Sequence, residues 1–529
     1  MLYLAATLRK EDPTSQIAVT TTNDINTILA YKPDVVALSF VSADLSKAKT
    51  AASAIRTAGI PVLGGGAHLT SSPETLPKEM CLGLIGEGED LITSLVKAAT
   101  TGTINDAVSL PGVIYHNGDG VSWTTPKRVQ DLNAIPFPAR DLLPQTYWST
   151  GITSLLTSRG CPYHCAFCQV SAIWKQPKFH SAEYVVSEIE EVHKKFGIHT
   201  FGVVDDLFIA NRNRIQDITD LLSKRNLIGR VGFAVNGRSN LITKDLCRDL
   251  KEMGVREVAL GIESMSKNIL PKLKDRVTVE QNIEAVEIIH ASGLKAGGLF
   301  MIGTPTETLE DMAESYDYVY NNREKFGGLQ VCVTTPLPGT ALWNTCADLG
   351  KVNKIPTEQD WSKMNIAAED PRTNMYVGDV PIETFHRALT KFRTLFFGKK
   401  ENADPSLLPL EIGIDINNKS MCTGIGDDGW TDGHFYVTGI KDQSKPIKRI
   451  VVKTRPWTPE HLLDVAIKIN AKEAQVSSIT RTRIVATVPQ DIRYINSIEI
   501  TSKTFVPKDI GLNDDNRTLS INIERIILE

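Results

Sequence analysis

Between residues 151 and 345, short apolar runs alternate with amphipathic stretches, and this alternation restricts the chain's folds more than any other feature. The runs at 152–157, 200–204, 231–235, 258–261, 297–302 and 329–334 have the length and composition of buried strands. The stretches at 182–195, 214–224, 244–253, 279–292 and 309–320 carry apolar residues at helical spacing, as Ile283, Val286 and Ile289 do. Strands joined by helices at intervals of about 30 residues pair in parallel through right-handed crossovers. Six strands are too few for a closed eight-stranded barrel, so the expected α/β fold is an open (β/α)6 partial TIM barrel. Active sites of barrels gather at the C-terminal strand ends.

Just after the first of these strands stands Ser158-Arg-Gly-Cys-Pro-Tyr-His-Cys-Ala-Phe-Cys-Gln169, which holds Cys161, Cys165 and Cys168 at C-x3-C-x2-C spacing. A cubane iron–sulfur cluster usually takes four thiolates, so three leave one iron open to bind and activate another molecule. Structural zinc normally needs four closely supplied ligands. His164 or His180 is available as the fourth, but no second Cys/His pair stands at finger or ribbon spacing. A disulfide framework needs an oxidising compartment and an even set of cysteines. A four-thiolate electron-transfer cluster would draw its fourth ligand from Cys81, Cys247, Cys332, Cys346 or Cys422, none of which lies in a cluster-like motif.

The chain has 529 residues, enough for two to four domains with their own cores. Its net charge of −4 gives no global nucleic-acid footprint. No apolar run approaches the ~20 residues needed to span a bilayer, so no transmembrane segment is expected. The first residues lack the basic-then-apolar layout of a signal peptide. A reducing, cytoplasmic setting fits all of this.

Residues 1–105 read as another α/β unit, with strands at 16–20, 34–40, 60–63 and 82–85 and helices at 24–31, 45–58 and 90–99. Such a doubly wound sheet binds ligands at its strand C-termini. A sheet of this kind opens with a strand, but the first pattern here is a helix at 2–9. Either the chain start is truncated or the sheet edge is completed in another way. Residues 112–125 read as a β-hairpin with an Asn-Gly/Asp-Gly turn. Residues 345–400 are mainly helical and irregular. From about 405 the pattern turns to β, with strands at 433–441, 447–453, 478–488, 495–501 and 519–527, which suggests an antiparallel sandwich. Trp430 and Trp457 suit stacking on a sugar or packing in a core. Asp427, Asp428 and Asp432 form an incomplete calcium series and read as turn residues.

The cysteine triplet, with Phe167 before its third member, resembles that of the radical S-adenosylmethionine (SAM) superfamily. The resemblance implies a 4Fe-4S cluster on Cys161, Cys165 and Cys168, SAM chelated to the open iron, and release of a 5′-deoxyadenosyl radical. It also implies that strand ends hold SAM. Asp205 and Asp206 end the second strand and suit its ammonium group by charge-assisted bonds. Glu263 and Ser264 end the fourth and suit ribose or ammonium. Gly303 and Pro305 follow the fifth and suit adenine, and Phe167 joins this set. Thr335-Pro-Leu-Pro-Gly-Thr340 ends the sixth. Each of these has a plainer reading as a cap or turn; four strand ends together point to a ligand mouth. Arg238, after the third strand, is a further candidate contact, with a solvated arginine as the preferred reading.

The series Pro61-Val-Leu-Gly-Gly-Gly-Ala-His68, Ile85-Gly-Glu-Gly-Glu89 and Pro136-Phe-Pro-Ala-Arg-Asp-Leu-Leu143 resembles the cobalamin-binding domain and linker of cobalamin-dependent radical SAM enzymes. That resemblance implies cobalamin against Ser39, Ser42, Gly64, Gly65 and Gly66. The D-x-H-x-x-G motif of other cobalamin families does not occur, so no protein histidine on cobalt is expected. A domain of this form that has lost its cofactor is the alternative.

The expected domains are a cobalamin-binding-like Rossmann-type domain with hairpin at 1–125, a linker at 126–150, the partial barrel at 151–345, an extension at 346–404 and a β-sandwich at 405–529. The implied activity is C-methylation of a small-molecule, lipid or glycan-linked substrate. The electron comes from an external donor such as flavodoxin or ferredoxin, and no nucleic acid takes part. Cyclisation, oxidation or rearrangement with the same cofactors, or a non-catalytic binding module, are the other readings.

Overall fold

In a computed structural model the chain forms two units, Met1–Gly398 and Lys399–Glu529. The structure describes residues 1–20, 24–118, 120–174, 176–366, 371–395, 412–414, 422–425, 431–438, 448–454, 465–480, 483–490, 492, 495, 497–502 and 523–528.

The first sheet has the order β1 (Val36–Ser39), β2 (Val62–Gly65), β3 (Leu82–Leu84), β4 (Val113–His116) and β5 (Val121–Trp123). The first three strands run parallel, and β4 and β5 form the expected hairpin, added antiparallel to β3. Neighbouring strand residues point to opposite faces. Val62 therefore packs with Ala52 and Ile55 of the helix Leu45–Thr57, while Leu63 packs with Leu95 and Ala98 of Ile92–Thr101. The strand expected at 16–20 does not form. No described strand lies beside it to complete a hydrogen-bonded ladder, and Ile17 and Val19 instead pack with Ala5, Ala6 and Ala139.

The alternating region forms a curled sheet of six parallel strands, a partial barrel. They are β6 (Ile152–Leu155), β7 (Thr200–Val203), β8 (Gly232–Gly237), β9 (Val255–Glu263), β10 (Lys295–Ile302) and β11 (Phe326–Val333), in spatial order from β11 back to β6. Its helices begin where the sequence supplies caps. The Ser181 hydroxyl accepts from Tyr184 N, and Thr278 and Thr308 close capping boxes. Two of them end on glycines in the left-handed conformation, Gly197 and Gly254. Phe201, Phe233, Val258, Leu260 and Phe300 are buried in one continuous core, each contributing about 1.5–3 kcal/mol.

The segment after the barrel ties the two sheets together. Trp343 of the helix Ala341–Asp348 and Trp361 of Glu358–Ser362 join the core around Phe40 and Ile55. Phe392 of Ile382–Thr394 lies 5.1 Å from the Phe300 ring in the barrel core.

The second unit holds two five-stranded antiparallel sheets among its described residues. Residues from both, including Phe435, Ile450, Ile467 and Ile484, share one hydrophobic cluster. The single strand expected at 478–488 is a hairpin, Gln475–Thr480 with Arg483–Thr487. Periodicity alone reads the alternating run as one continuous strand. Asp427, Asp428, Trp430 and Trp457 lie outside the described residues, and Asp432 falls in the strand Thr431–Thr438.

Candidate active site at the barrel mouth

The cysteine loop leaves the C-terminal end of β6. Its entry, Thr157–Gly160, is held from beneath by the end of β7. Thr157 N and Oγ1 donate to Asp205 at 2.5 Å each, and Ser158 N and Oγ donate to it at 3.0 and 2.6 Å. Asp205 is fully buried and its carboxylate is spent on these four bonds. The expectation that it meets a ligand ammonium is therefore corrected: it braces the cysteine loop. Its neighbour Asp206 accepts from Gly160 N at 2.7 Å and faces the mouth, near enough to Cys161 and Cys168 to push both thiols up.

Cys161, Cys165 and Cys168 are in no disulfide and are half-buried. Burial is the main cause that raises all three thiol pKa values; neighbouring thiols add to it at Cys161 and Cys168 and Glu263 adds to it at Cys165, and Cys168 reaches about 11. At Cys165 the Arg238 guanidinium opposes that rise. Arg238 is not solvated, as its sequence position suggested. It is 3% exposed and its Nη1 donates to Cys165 Sγ at 3.2 Å. Among the described residues no trio of His, Cys, Asp or Glu converges on a single metal position. A cubane needs no such convergence, because each thiolate binds a different iron. The other described cysteines are placed apart from the loop: Cys247 and Cys346 are buried in helices, Cys332 lies within β11, and Cys81 Sγ donates to Val62 O. Three thiols on one loop, none in a disulfide and one with a cationic donor, fit a three-thiolate 4Fe-4S cluster.

The ends of β9 and β10 carry the other expected residues. The register of β9 shifts between Gly261 and Glu263, and Glu263 takes φ 62°. Such a bulge re-aims a side chain, and a non-glycine residue in that region marks stored strain. Burial raises the Glu263 pKa and Lys274, with Nζ 3.6 Å from its Oε1, opposes the rise. A Cβ on Gly261 would lie 2.5 Å from Glu263 Oε1 and 2.8 Å from Lys274 Nζ, so glycine makes room for the pair. Ser264 is fully buried and its Oγ accepts from Ser266 N, which ties it to the turn. Gly303 has φ 86°, and both its N–H and that of Thr304 donate to Glu307 Oε2. Pro305 is buried in that turn. Burial pushes Glu307 up to about 8, and its Oε1 has no partner. Phe167 packs into the core shared with the N-terminal sheet.

A cavity of about 380 Å3 lies between that sheet and the mouth. Ser39, Gly64, Gly65 and Gly66 line it from the ends of β1 and β2. Ser158, Arg159, Val204 and Asp206 line it from the barrel, with Trp174 beside them. A Cβ on Gly65 would meet nothing within 4 Å, so this glycine leaves the backbone open to the cavity. Gly66, at φ 100°, would place a Cβ 2.7 Å from Phe40 O and is required by the turn itself. Ser42 does not line the cavity. It is buried, with Oγ 3.0 Å from His68 Nδ1, and His68 Nε2 lies 2.8 Å from Thr75 Oγ1. Both nitrogens of His68 are engaged, and burial lowers its pKa to about 4.

Sequence reasoning missed the ion pairs that join the two sides. Arg159 Nη1 donates to Glu87 Oε1 at 3.0 Å and its Nη2 to Glu89 Oε1 at 2.7 Å. Both glutamates come from the loop after β3, and Glu87 Oε2 also accepts from Val129 N. The visible signal was Arg159 two residues before Cys161, together with two carboxylates spaced by one glycine.

Residues 155–319 match the model of the radical SAM superfamily. An uncharacterized methyltransferase of Pyrococcus horikoshii is 30% identical over 378 residues, which cover 69% of this chain and 80% of that protein. An anaerobic magnesium-protoporphyrin IX monomethyl ester cyclase of Rubrivivax gelatinosus is 27% identical over 335 residues, 59% of this chain and 60% of that one. The radical SAM methyltransferase TsrM of Kitasatospora setae, solved with cobalamin and a 4Fe-4S cluster bound, has the same fold. It superposes with a TM-score of 0.58 at 18% identity, over 76% of this chain and 88% of that chain. With three thiols on the loop after β6 of a partial barrel, the chain belongs to the radical SAM superfamily, and it is a radical SAM enzyme.

Proposed function

We propose that this protein is a cobalamin-dependent radical SAM C-methyltransferase. One observation carries the reading: the glycine-closed end of β2 and the entry to the cysteine loop open onto the same cavity. When bound, the cluster and SAM supply a 5′-deoxyadenosyl radical and cobalamin supplies a methyl group. The residues hold, orient and shield these groups. Cys161, Cys165 and Cys168 hold the cluster. Asp206, at the mouth, takes the SAM ammonium, and Glu263, aimed by its bulge, takes the ribose or the ammonium. Phe167, Ser264, Gly303 and Pro305 shape the surrounding walls. Gly64, Gly65, Gly66 and Ser39 give cobalamin a backbone cradle with no histidine on cobalt; His68 already spends both ring nitrogens within the protein. The apolar lining, with Leu4, Leu38, Leu84 and Leu156, limits water beside the reacting carbon.

In this reading residues 1–125 are the cobalamin-binding domain, 126–150 the linker, 151–345 the barrel, and 346–404 the extension. Residues 405–529 are an accessory β-sandwich, a reading supported by the core that their two sheets share. The substrate is a small molecule, lipid or glycan-linked compound, and the electron comes from a flavodoxin or ferredoxin. Among the described residues no helix is long and apolar enough to cross a membrane. A second reading, ring closure or oxidation with the same cofactors, is supported by the likeness to a cyclase. Anaerobic reconstitution with iron, sulfide and cobalamin, followed by product analysis, tests the proposal. Methylation gives both 5′-deoxyadenosine and S-adenosylhomocysteine. 5′-Deoxyadenosine without S-adenosylhomocysteine would overturn methylation in favour of the second reading.

A further inference from the structure

The Cys165 sulfur carries a charged donor that is fixed on every side. Arg238 follows β8 and is 3% exposed. Its Nη1 donates to Cys165 Sγ at 3.2 Å. Its Nη2 donates to the Asp275 carbonyl and, at 3.1 Å, to Asp275 Oδ1. Its Nε donates to Asn240 Oδ1 at 3.0 Å, and its Cζ stands 3.9 Å from the centre of the Tyr163 ring, within the cysteine loop. A guanidinium taken this far out of water costs several kcal/mol unless an anion and several acceptors compensate it. Asp275 provides one negative charge, and Cys165 would provide the other as a cluster-bound thiolate.

A cation fixed in a low-dielectric site acts strongly on charge that appears beside it. The oxidised and reduced states of a 4Fe-4S cluster differ by one electron, so the reduced state gains more from this cation. Hydrogen bonds to cluster sulfurs shift potentials in the same way. We infer that Arg238 is a positioning residue that raises the reduction potential of the cluster through Cys165, easing entry of the electron that starts the reaction. The inference rests on assigning the cluster to Cys161, Cys165 and Cys168. The step is a one-electron transfer from a low-potential donor, and no bond forms or breaks in it.

The test uses the full chain, reconstituted anaerobically with iron and sulfide and held without SAM. Iron and sulfide per chain are measured first. Arg238→Gln and Arg238→Lys are then titrated with dithionite and mediator dyes, following the electron paramagnetic resonance of the reduced cluster. The expected result is wild-type iron content with a lower potential. Reduction becomes at least tenfold less favourable in Arg238→Gln, about 59 mV for one electron, and less so in Arg238→Lys, which keeps the charge. An unchanged potential in a fully loaded Arg238→Gln protein overturns the inference. An unchanged potential with weakened SAM binding overturns it too, and assigns the guanidinium to the SAM carboxylate. Loss of iron from both variants, with thermal unfolding unchanged, overturns it by giving Arg238 a holding role. A wild-type chain that takes up no cluster would defeat the family reading of the triplet instead.

Discussion

The barrel mouth presents its chemistry on side chains, whereas the end of β2 that opens onto the cavity presents glycine backbone. At the mouth, Cys161, Cys165, Cys168, Asp206 and Glu263 each present a particular atom, and Asp206, Glu263 and Cys165 are held by Gly160 N, Lys274 Nζ and Arg238 Nη1. On the other side, Gly64–Gly66 present bare backbone at a strand end. Covalent ligation demands one residue type at fixed spacing. A backbone cradle demands only that nothing protrude. The first surface therefore fails abruptly on substitution, and the second fails in degrees set by where a new Cβ lands.

The largest effect is expected at the thiols. Cys161→Ala, Cys165→Ala or Cys168→Ala should abolish 5′-deoxyadenosine formation, measured after reconstitution and reduction. Retained turnover in any of them would break the contrast at its strong end. Next comes the joint between the surfaces. Arg159→Ala removes the ion pair of buried Glu89 and leaves Glu87 only Arg128, 3.8 Å away, and removing one partner of a buried pair costs about 3–5 kcal/mol. Chemical denaturation should show a loss of that size; a loss below about 1 kcal/mol, the scale of an exposed pair, would mean that this contact does not tie the domains.

The glycines sharpen the comparison further. At Gly64 a Cβ would lie 2.6 Å from Met80 Sδ and 2.8 Å from Leu69 Cδ1, so Gly64→Ala should destabilise the fold by about 1–3 kcal/mol. At Gly65 the added methyl enters open space. Gly65→Ala should melt like the wild type but bind cobalamin about tenfold more weakly, about 1.4 kcal/mol. Equal cobalamin affinity in Gly65→Ala would remove this glycine from the cradle. A separate effect, on pH dependence alone, concerns Glu307, whose folded pKa of about 8 lies above its ordinary value of 4.5. Between those values the folded state holds a proton that the unfolded state has lost, so stability falls as pH rises. Glu307→Gln should flatten that slope between pH 4.5 and 8, as followed by unfolding at a series of pH values.

This contrast also explains what could be read in advance. The six barrel strands were legible because each is an apolar run followed by an amphipathic helix with its own cap, as at Ser181 and Thr278. The cluster cysteines were legible because ligation fixes spacing. Asp205 was misread because a carboxylate at a strand end has the same appearance whether it faces a ligand or braces a loop. Arg238 was misread for the opposite reason: its partners Cys165 and Asp275 are distant in sequence, and only the fold brings them together. Ser42 was expected against cobalamin from the resemblance, but its hydroxyl turns to His68. The strand expected at 16–20 has adequate β-propensity, yet a strand exists only through a neighbour, and none of the described strands pairs with it.

Electron paramagnetic resonance of the reduced, anaerobically reconstituted protein, with and without SAM, tests the central claim most directly. If three protein thiolates leave one iron open, adding SAM changes the signal of the reduced cluster. An identical spectrum in the presence of saturating SAM would mean that the fourth corner is already taken, and would contradict the account.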